Sequence, residues 1–139
     1  MSLQSCYIIK IYVPAHIEEL GDTVAEQREP LRTRSRFLRE ILQVIEASSI
    51  VGRLGNYAGL YELSQGEEWY TPQSGAHPHL GRPGRESGVS SIIITTYAVG
   101  IERKQLEAFV ERIARVHPWE HPVIECFGPE GPLIWMPPA

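Results

Sequence analysis

Aspartate is almost missing from this sequence: Asp22 is the only one among 139 residues. A serine–histidine–aspartate relay therefore lacks its usual third member, and the serine pairs at 48–49 and 90–91 sit in no nucleophile-elbow pattern. Cysteine is scarce too. Cys6 and Cys126 lie far apart, each inside a predicted strand. That excludes a disulfide framework and leaves two buried, inert thiols and a cytoplasmic location as the expectation. No apolar run approaches the roughly 20 residues that cross a bilayer, so no membrane partner is expected. The opening "MSLQSCYIIKIYV" alternates apolar with polar residues and lacks a basic leader, so it reads as a strand and not a signal peptide. No basic stripe is present either. The formal net charge is −4 with both signs scattered, which argues against nucleic acid as a partner.

What remains is an ordinary globular composition, 42% apolar and 22% charged, in a length that suits one domain spanning 1–139. "CYIIKIYVP" (6–14) alternates as a strand, with Tyr7, Ile9, Ile11 and Val13 on one face and Lys10 and Tyr12 on the other. Helical spacing follows at Ile17, Leu20 and Val24, weakened by Gly21 and interrupted by Pro30. A stronger helix is predicted over 31–47, with Leu31, Leu38, Ile41, Leu42 and Ile45 as its apolar side and Arg32, Arg34, Arg36 and Arg39 on a solvated face. Two strands, about 55–63 and 67–72, are predicted next, joined by a turn around "SQGE". Four glycines and two prolines in "QSGAHPHLGRPGRESG" (73–88) predict a loop. The β-branched "VSSIIITTYAV" (89–99) predicts a central strand. "IERKQLEAFVERIARV" (101–116) is the cleanest amphipathic helix, stopped by Pro118, and "PVIECFG" (122–128) is the last core strand. The tail 129–139 is apolar but proline-broken, so the core is placed at about 6–128.

This order predicts an α+β fold: a ferredoxin-like βαββαβ sandwich, an antiparallel sheet with its helices on one face. The other face needs cover, with Tyr57, Tyr61, Trp69 and Tyr97 as candidates, and self-association is expected.

Two loops hold the residues with chemical potential. In "HPWEHP" (117–122), His117, Glu120 and His121 could face a ligand or metal. Metal binding needs three or four donors converging at about 2 Å, and Pro118 prevents one helix from presenting both histidines. The structural alternative has His117 bonding a terminal carbonyl of the preceding helix while Trp119 packs on the sheet. In "GAHPHLGRPG", His77 and His79 flank Pro78, with Arg82 and Arg85 near, as a candidate binding loop. It lacks the Gly-x-x-x-x-Gly-Lys phosphate motif. Asn56 and Tyr57 form a turn into a strand, with Asn56 suited to left-handed backbone.

Taken together, "GRLGNYAGLYE", "EEWYTPQSGAHPHLGRPG", "SIIITTYAV" and "RIARVHPWEHPVIECF" resemble the PII-like, CutA-like insert domain of the NIF3 family, over residues 7–127. The matching positions are Gly55, Asn56 and Tyr57; Trp69 to Pro72, with one extra residue; Gly75, Ala76 and Pro78; and His117 to Pro122. Two departures are the absence of a cysteine near Leu60 and a longer first helical region containing Pro30. The resemblance implies a ferredoxin-like fold and a homo-oligomer, a trimer before a dimer. It also implies a ligand site between subunits, by likeness to the nucleotide clefts of PII proteins. NIF3 metal ligands lie outside the insert, so the resemblance carries none to this chain.

The expected function is a non-catalytic, oligomeric module that binds a small ligand or a protein partner. Its site residues would be Asn56, Tyr57, His77, His79, Arg82, His117, Trp119 and Glu120, with no catalytic residue and an unknown cofactor. One alternative is a divalent-metal protein using His77, His79, His117 and His121. The other is an enzyme whose site is built at the subunit junction.

Overall fold

The computed structural model describes residues 2–14 and 35–138. The predicted helical stretch around Ile17, Leu20 and Val24, with Gly21 and Pro30, lies outside them, as do Leu31, Arg32 and Arg34.

The elements run β1 (Cys6–Pro14), α1 (Arg36–Ala47), β2 (Glu62–Tyr70), β3 (Ser87–Val99), α2 (Arg103–Val116), β4 (Ile124–Gly128) and β5 (Gly131–Ile134). They form one antiparallel sheet ordered β2-β3-β1-β4-β5. The first four of these are in the ferredoxin-like order, so the predicted α+β class holds. Strand β3 is central, as its β-branched sequence predicts.

Period-two alternation sorts the sheet into two faces. Ile9, Ile11 and Val13 of β1 and Ile92 and Ile94 of β3 are fully buried beneath both helices. Leu38, Ile41, Leu42 and Ile45 of α1 and Leu106, Phe109, Val110 and Ile113 of α2 complete that core. Burying each large aliphatic side chain contributes about 1.5–3 kcal/mol, enough to set which face of each strand turns inward.

The opposite face is polar in its middle. Ser91 donates its hydroxyl hydrogen to Glu68 at 2.7 Å. Lys10 sits directly opposite Glu125 across the β1–β4 pair. Tyr12 donates to Glu125, which raises the phenol to about 12. Burial, with Glu125 nearby, raises the carboxyl pKa of Glu68 even though the Ser91 bond opposes the shift. Tyr97 pairs with Ile8 on this face, and Phe127 and Ile134 are exposed there. Of the four aromatics expected on the uncovered face, only Tyr97 lies on it. Tyr61 packs against the core, and Trp69 shares the helix-side parity of Leu63. Tyr57 sits on a turn, 75% exposed.

Four element boundaries differ from expectation. The predicted strands 55–63 and 67–72 are one strand, 62–70, passing straight through "SQGE". Gly66 there works as a packing site: a Cβ on it would stand 3.1 Å from the Ile93 side chain. The long β3 offers a continuous ladder, and that overrides the local turn signal. Residues 55–61 form loop instead, with mutual backbone bonds between Leu54 and Tyr57 closing a tight turn. Its left-handed residue is Gly55, at φ 55, and not Asn56.

Helix α1 begins at Arg36, not Leu31, because Ser35 is extended and its Oγ accepts the Leu38 N–H at 3.2 Å as an N-cap. On α1, Arg36 is exposed and pairs with Glu40 at 2.9 Å, as a solvated face requires. The tail, expected to lie outside the core, adds strand β5 beside β4. Pro132 within it is tolerated because β5 lies at the sheet edge. Strand β3 begins at Ser87, inside the predicted loop.

Candidate functional site: a cleft between two loops

The loop after β2 folds back on itself. The Gly84 N–H donates to the Pro72 carbonyl at 2.7 Å across its neck, and the Tyr70 hydroxyl donates to the Leu80 carbonyl at 2.7 Å. This leaves Pro78, His79 and Leu80 facing the segment after α2.

That segment is fixed by His117. The residue caps α2, its N–H donating to the Ile113 carbonyl at 3.1 Å. Its side chain does not bond a helix carbonyl, as the sequence suggested. The ring turns inward, to 8% exposure, and Nε2 donates to the Tyr12 carbonyl of β1 at 2.6 Å. Nδ1 accepts the Trp119 N–H at 3.1 Å. Accepting at Nδ1 and donating from Nε2 fixes the neutral imidazole. Burial agrees: it pushes the pKa down to about 4, against the opposing effect of the Tyr12 bond and with a further lowering from nearby His79. His117 thus ties the end of α2 to the end of β1 and sets the course of residues 118–123.

The two loops meet through Glu120, whose carboxylate accepts the backbone N–H of His77. Between them lies a cleft of about 330 Å³. Its lining includes Trp69, Tyr70, Pro72, Pro78, His79, Leu80, Trp119, Glu120 and His121. A volume near 300 Å³ or above, with mostly apolar walls and a few polar groups, is what small-molecule sites have in common. His79 also packs edge-on against Phe37 of α1, 5.7 Å between ring centroids, so the first helix braces the loop.

Of the residues singled out from sequence, the structure gathers His77, His79, His117, Trp119, Glu120 and His121 at this end of the sheet. Trp119 lines the cleft, half-buried, where packing on the sheet was expected. His117 supports it from below. Arg82 is exposed on the loop and is not part of the lining.

Asn56 and Tyr57 are elsewhere. Their connection bonds to the far end of β3, where the Gly52 N–H donates to the Tyr97 carbonyl at 2.7 Å. Strand β2, nine residues long, separates the two places; that is about 27–30 Å at the strand rise of roughly 3.3 Å. Within one protomer these residues do not share a site with the histidine loop.

The histidines also diverge. His117 uses both ring nitrogens, while His121 stacks edge-on with Trp135 at 6.5 Å. Among the described residues no three His, Cys, Asp or Glu side chains converge as a metal site would require. Cys126 is buried beside α2, and burial pushes its thiol up to about 11, which keeps it protonated and unreactive.

Trp69 and Tyr70 belong to the lining but were not assigned to a site from sequence. The signal was the "EEWYTP" strand end immediately before the glycine-rich loop. Strand parity, needed to see where Trp69 points, depended on recognising β2 as one strand.

The fold and cleft describe a ferredoxin-like α+β domain with a loop-built concavity at an end of its sheet. No protein-family model matches the sequence, and no curated protein matches it significantly. Among solved structures, a Bacillus cereus protein related to NIF3 superimposes with a TM-score of 0.60 over 95% of this chain, at 16% identity. This chain covers 28% of that protein's length. At such identity the likeness is one of fold: this chain has the architecture of a segment of a NIF3-related protein. No helix among the described residues is long and apolar enough to cross a membrane.

Proposed function

We propose that this chain is a PII/CutA-like module of the kind inserted in NIF3 proteins, and that it binds a small ligand without transforming it. The observation that carries this reading is the cleft itself. Two loops that hold the family-like motifs are bridged by Glu120 and His77, and they enclose an apolar space of ligand size. Two of the reactive-looking groups around it have structural partners: His117 bonds Tyr12 and Trp119, and one Glu120 oxygen accepts the His77 amide.

Assembly belongs to the same proposal. The uncovered sheet face carries Ile8, Ile93, Tyr97, Phe127 and Ile134 around the Tyr12–Glu125 centre, and a trimer formed through it would bury them. Unpaired Cys6 and Cys126 suit a reducing cytoplasm.

The test uses N-phenyl-1-naphthylamine, a neutral fluorescent probe small enough for the cleft. Saturable binding that Trp119→Ala weakens by about tenfold and Tyr57→Ala leaves unchanged supports the reading. Failure to bind, or equal loss in both variants, overturns it. Light scattering on the same samples reports a trimer if the assembly proposal holds, and a stable monomer removes it.

A further inference from the structure

The cleft has a chemical preference, and this inference rests on the proposal that it is a ligand site. Three aromatic side chains line it: Trp69, Tyr70 and Trp119. They are held in place before any ligand arrives. Trp69 lies flat across Gly88, and a Cβ placed on Gly88 would stand 2.8 Å from three separate ring carbons. One face of the indole is therefore seated on backbone, while the residue as a whole stays 64% exposed. Tyr70 is fixed by its bond to the Leu80 carbonyl. The Trp119 backbone is tied down by its amide bond to His117, and its ring contacts that imidazole at 5.3 Å between centroids.

Among the described residues, the cleft lining holds two carboxylates, Glu68 and Glu120, beside the imidazoles of His79 and His121. Glu120 lines it, with Oε2 held by the His77 amide, and Glu68 lines it at the strand end. Among the described lining residues there is no lysine or arginine. Aromatic faces present negative quadrupole to a ligand, and a carboxylate at the rim adds to that field. An anion meets repulsion from both. A compact organic cation meets attraction from both and keeps apolar surface for Pro72, Pro78 and Leu80 to cover.

We propose that the cleft binds a small organic cation, an alkylated ammonium group seated against Trp69 and Trp119 with Glu120 as its counter-charge. Choline and its neutral isostere 3,3-dimethylbutan-1-ol separate charge from shape, since they differ by nitrogen for carbon at one position. Both are titrated at constant ionic strength while the indole N–H signals of Trp69 and Trp119 are followed by NMR. Choline is expected to bind at least about tenfold more tightly than the alcohol. Trp69→Leu keeps apolar bulk at an exposed position and removes the π face; it and Glu120→Gln should each reduce that ratio by about threefold or more. Equal or tighter binding of the alcohol overturns the cation assignment while leaving the cleft a ligand site. The same holds if neither compound binds but N-phenyl-1-naphthylamine does. Absence of binding by all three removes both proposals.

Discussion

At one end of the sheet two loops hold each other; at the other end a single connection is pinned to the strand beside it. The first end joins residues 71–86 to 117–123 through Glu120 and His77, with His117 anchoring the second loop to β1. The second end runs from Ser48 to Tyr61. The Thr96 hydroxyl donates to the Leu60 carbonyl at 2.6 Å, and the turn carrying Asn56 and Tyr57 projects outward. Both ends contain residues that looked functional in the sequence. Among the described residues, the cleft lies at the end where two separate segments meet. A loop pinned along its own strand presents a surface, whereas two loops bridged to each other can surround a ligand.

Removing the anchor should have the largest effect. His117→Ala deletes two hydrogen bonds from a buried site, leaving the Tyr12 carbonyl and Trp119 amide without them. Urea unfolding should show a loss of about 2–3 kcal/mol. The same residue sets a pH dependence. Its folded pKa, about 4, lies below the ordinary 6.5, so the unfolded chain takes up the proton first as pH falls. This contribution is fully present above about pH 6.5 and is lost progressively down through about pH 4, for a total of roughly 3 kcal/mol. The stability gap between wild type and His117→Ala should therefore narrow across that window. A constant gap would show that the imidazole is not neutral in the fold.

Trp119→Ala should cost less, about 1–2 kcal/mol, because the side chain is only half-buried. Its main consequence should be loss of the cleft wall, read as weakened probe binding. A cost of 3 kcal/mol or more would instead mark Trp119 as a core anchor.

Glu120→Gln tests the bridge between the loops. Losing the charge on the acceptor should speed hydrogen exchange at the His77 amide by about fivefold, corresponding to roughly 1 kcal/mol for one charge-assisted bond. Unchanged exchange would mean the loops are held by packing alone.

The smallest effect belongs to the far end. Tyr57→Ala, on an exposed turn, should stay within about 0.5 kcal/mol of wild type and leave cleft binding untouched. A loss of binding in this variant as large as that in Trp119→Ala would contradict the placement of the site in the cleft.

The sequence made β1 and α2 readable because their apolar residues keep one period throughout, from Tyr7 to Val13 and from Leu106 to Ile113. It misdirected where a local signal met a stronger distant one. "SQGE" carries turn residues, yet β3 supplies partners along the whole of 62–70. Pro132 in "GPLI" argued against a strand, but an edge position tolerates it. Ser35 reads as one more residue in a helical pattern until its cap geometry is seen. At the site, composition marked both loops through their histidines, prolines and glycines. Their pairing was not legible, because the Glu120–His77 contact spans 43 residues of chain. Nor was the inward turn of His117 toward Tyr12, 105 residues away.

The most direct measurement follows backbone and indole N–H signals by NMR while N-phenyl-1-naphthylamine is added. A ligand site in the cleft predicts shifts at the Trp69 and Trp119 indoles and the His77 amide, with Asn56 and Tyr57 unmoved. Shifts confined to Asn56 and Tyr57, or none at the two indoles when the probe is bound, would contradict it.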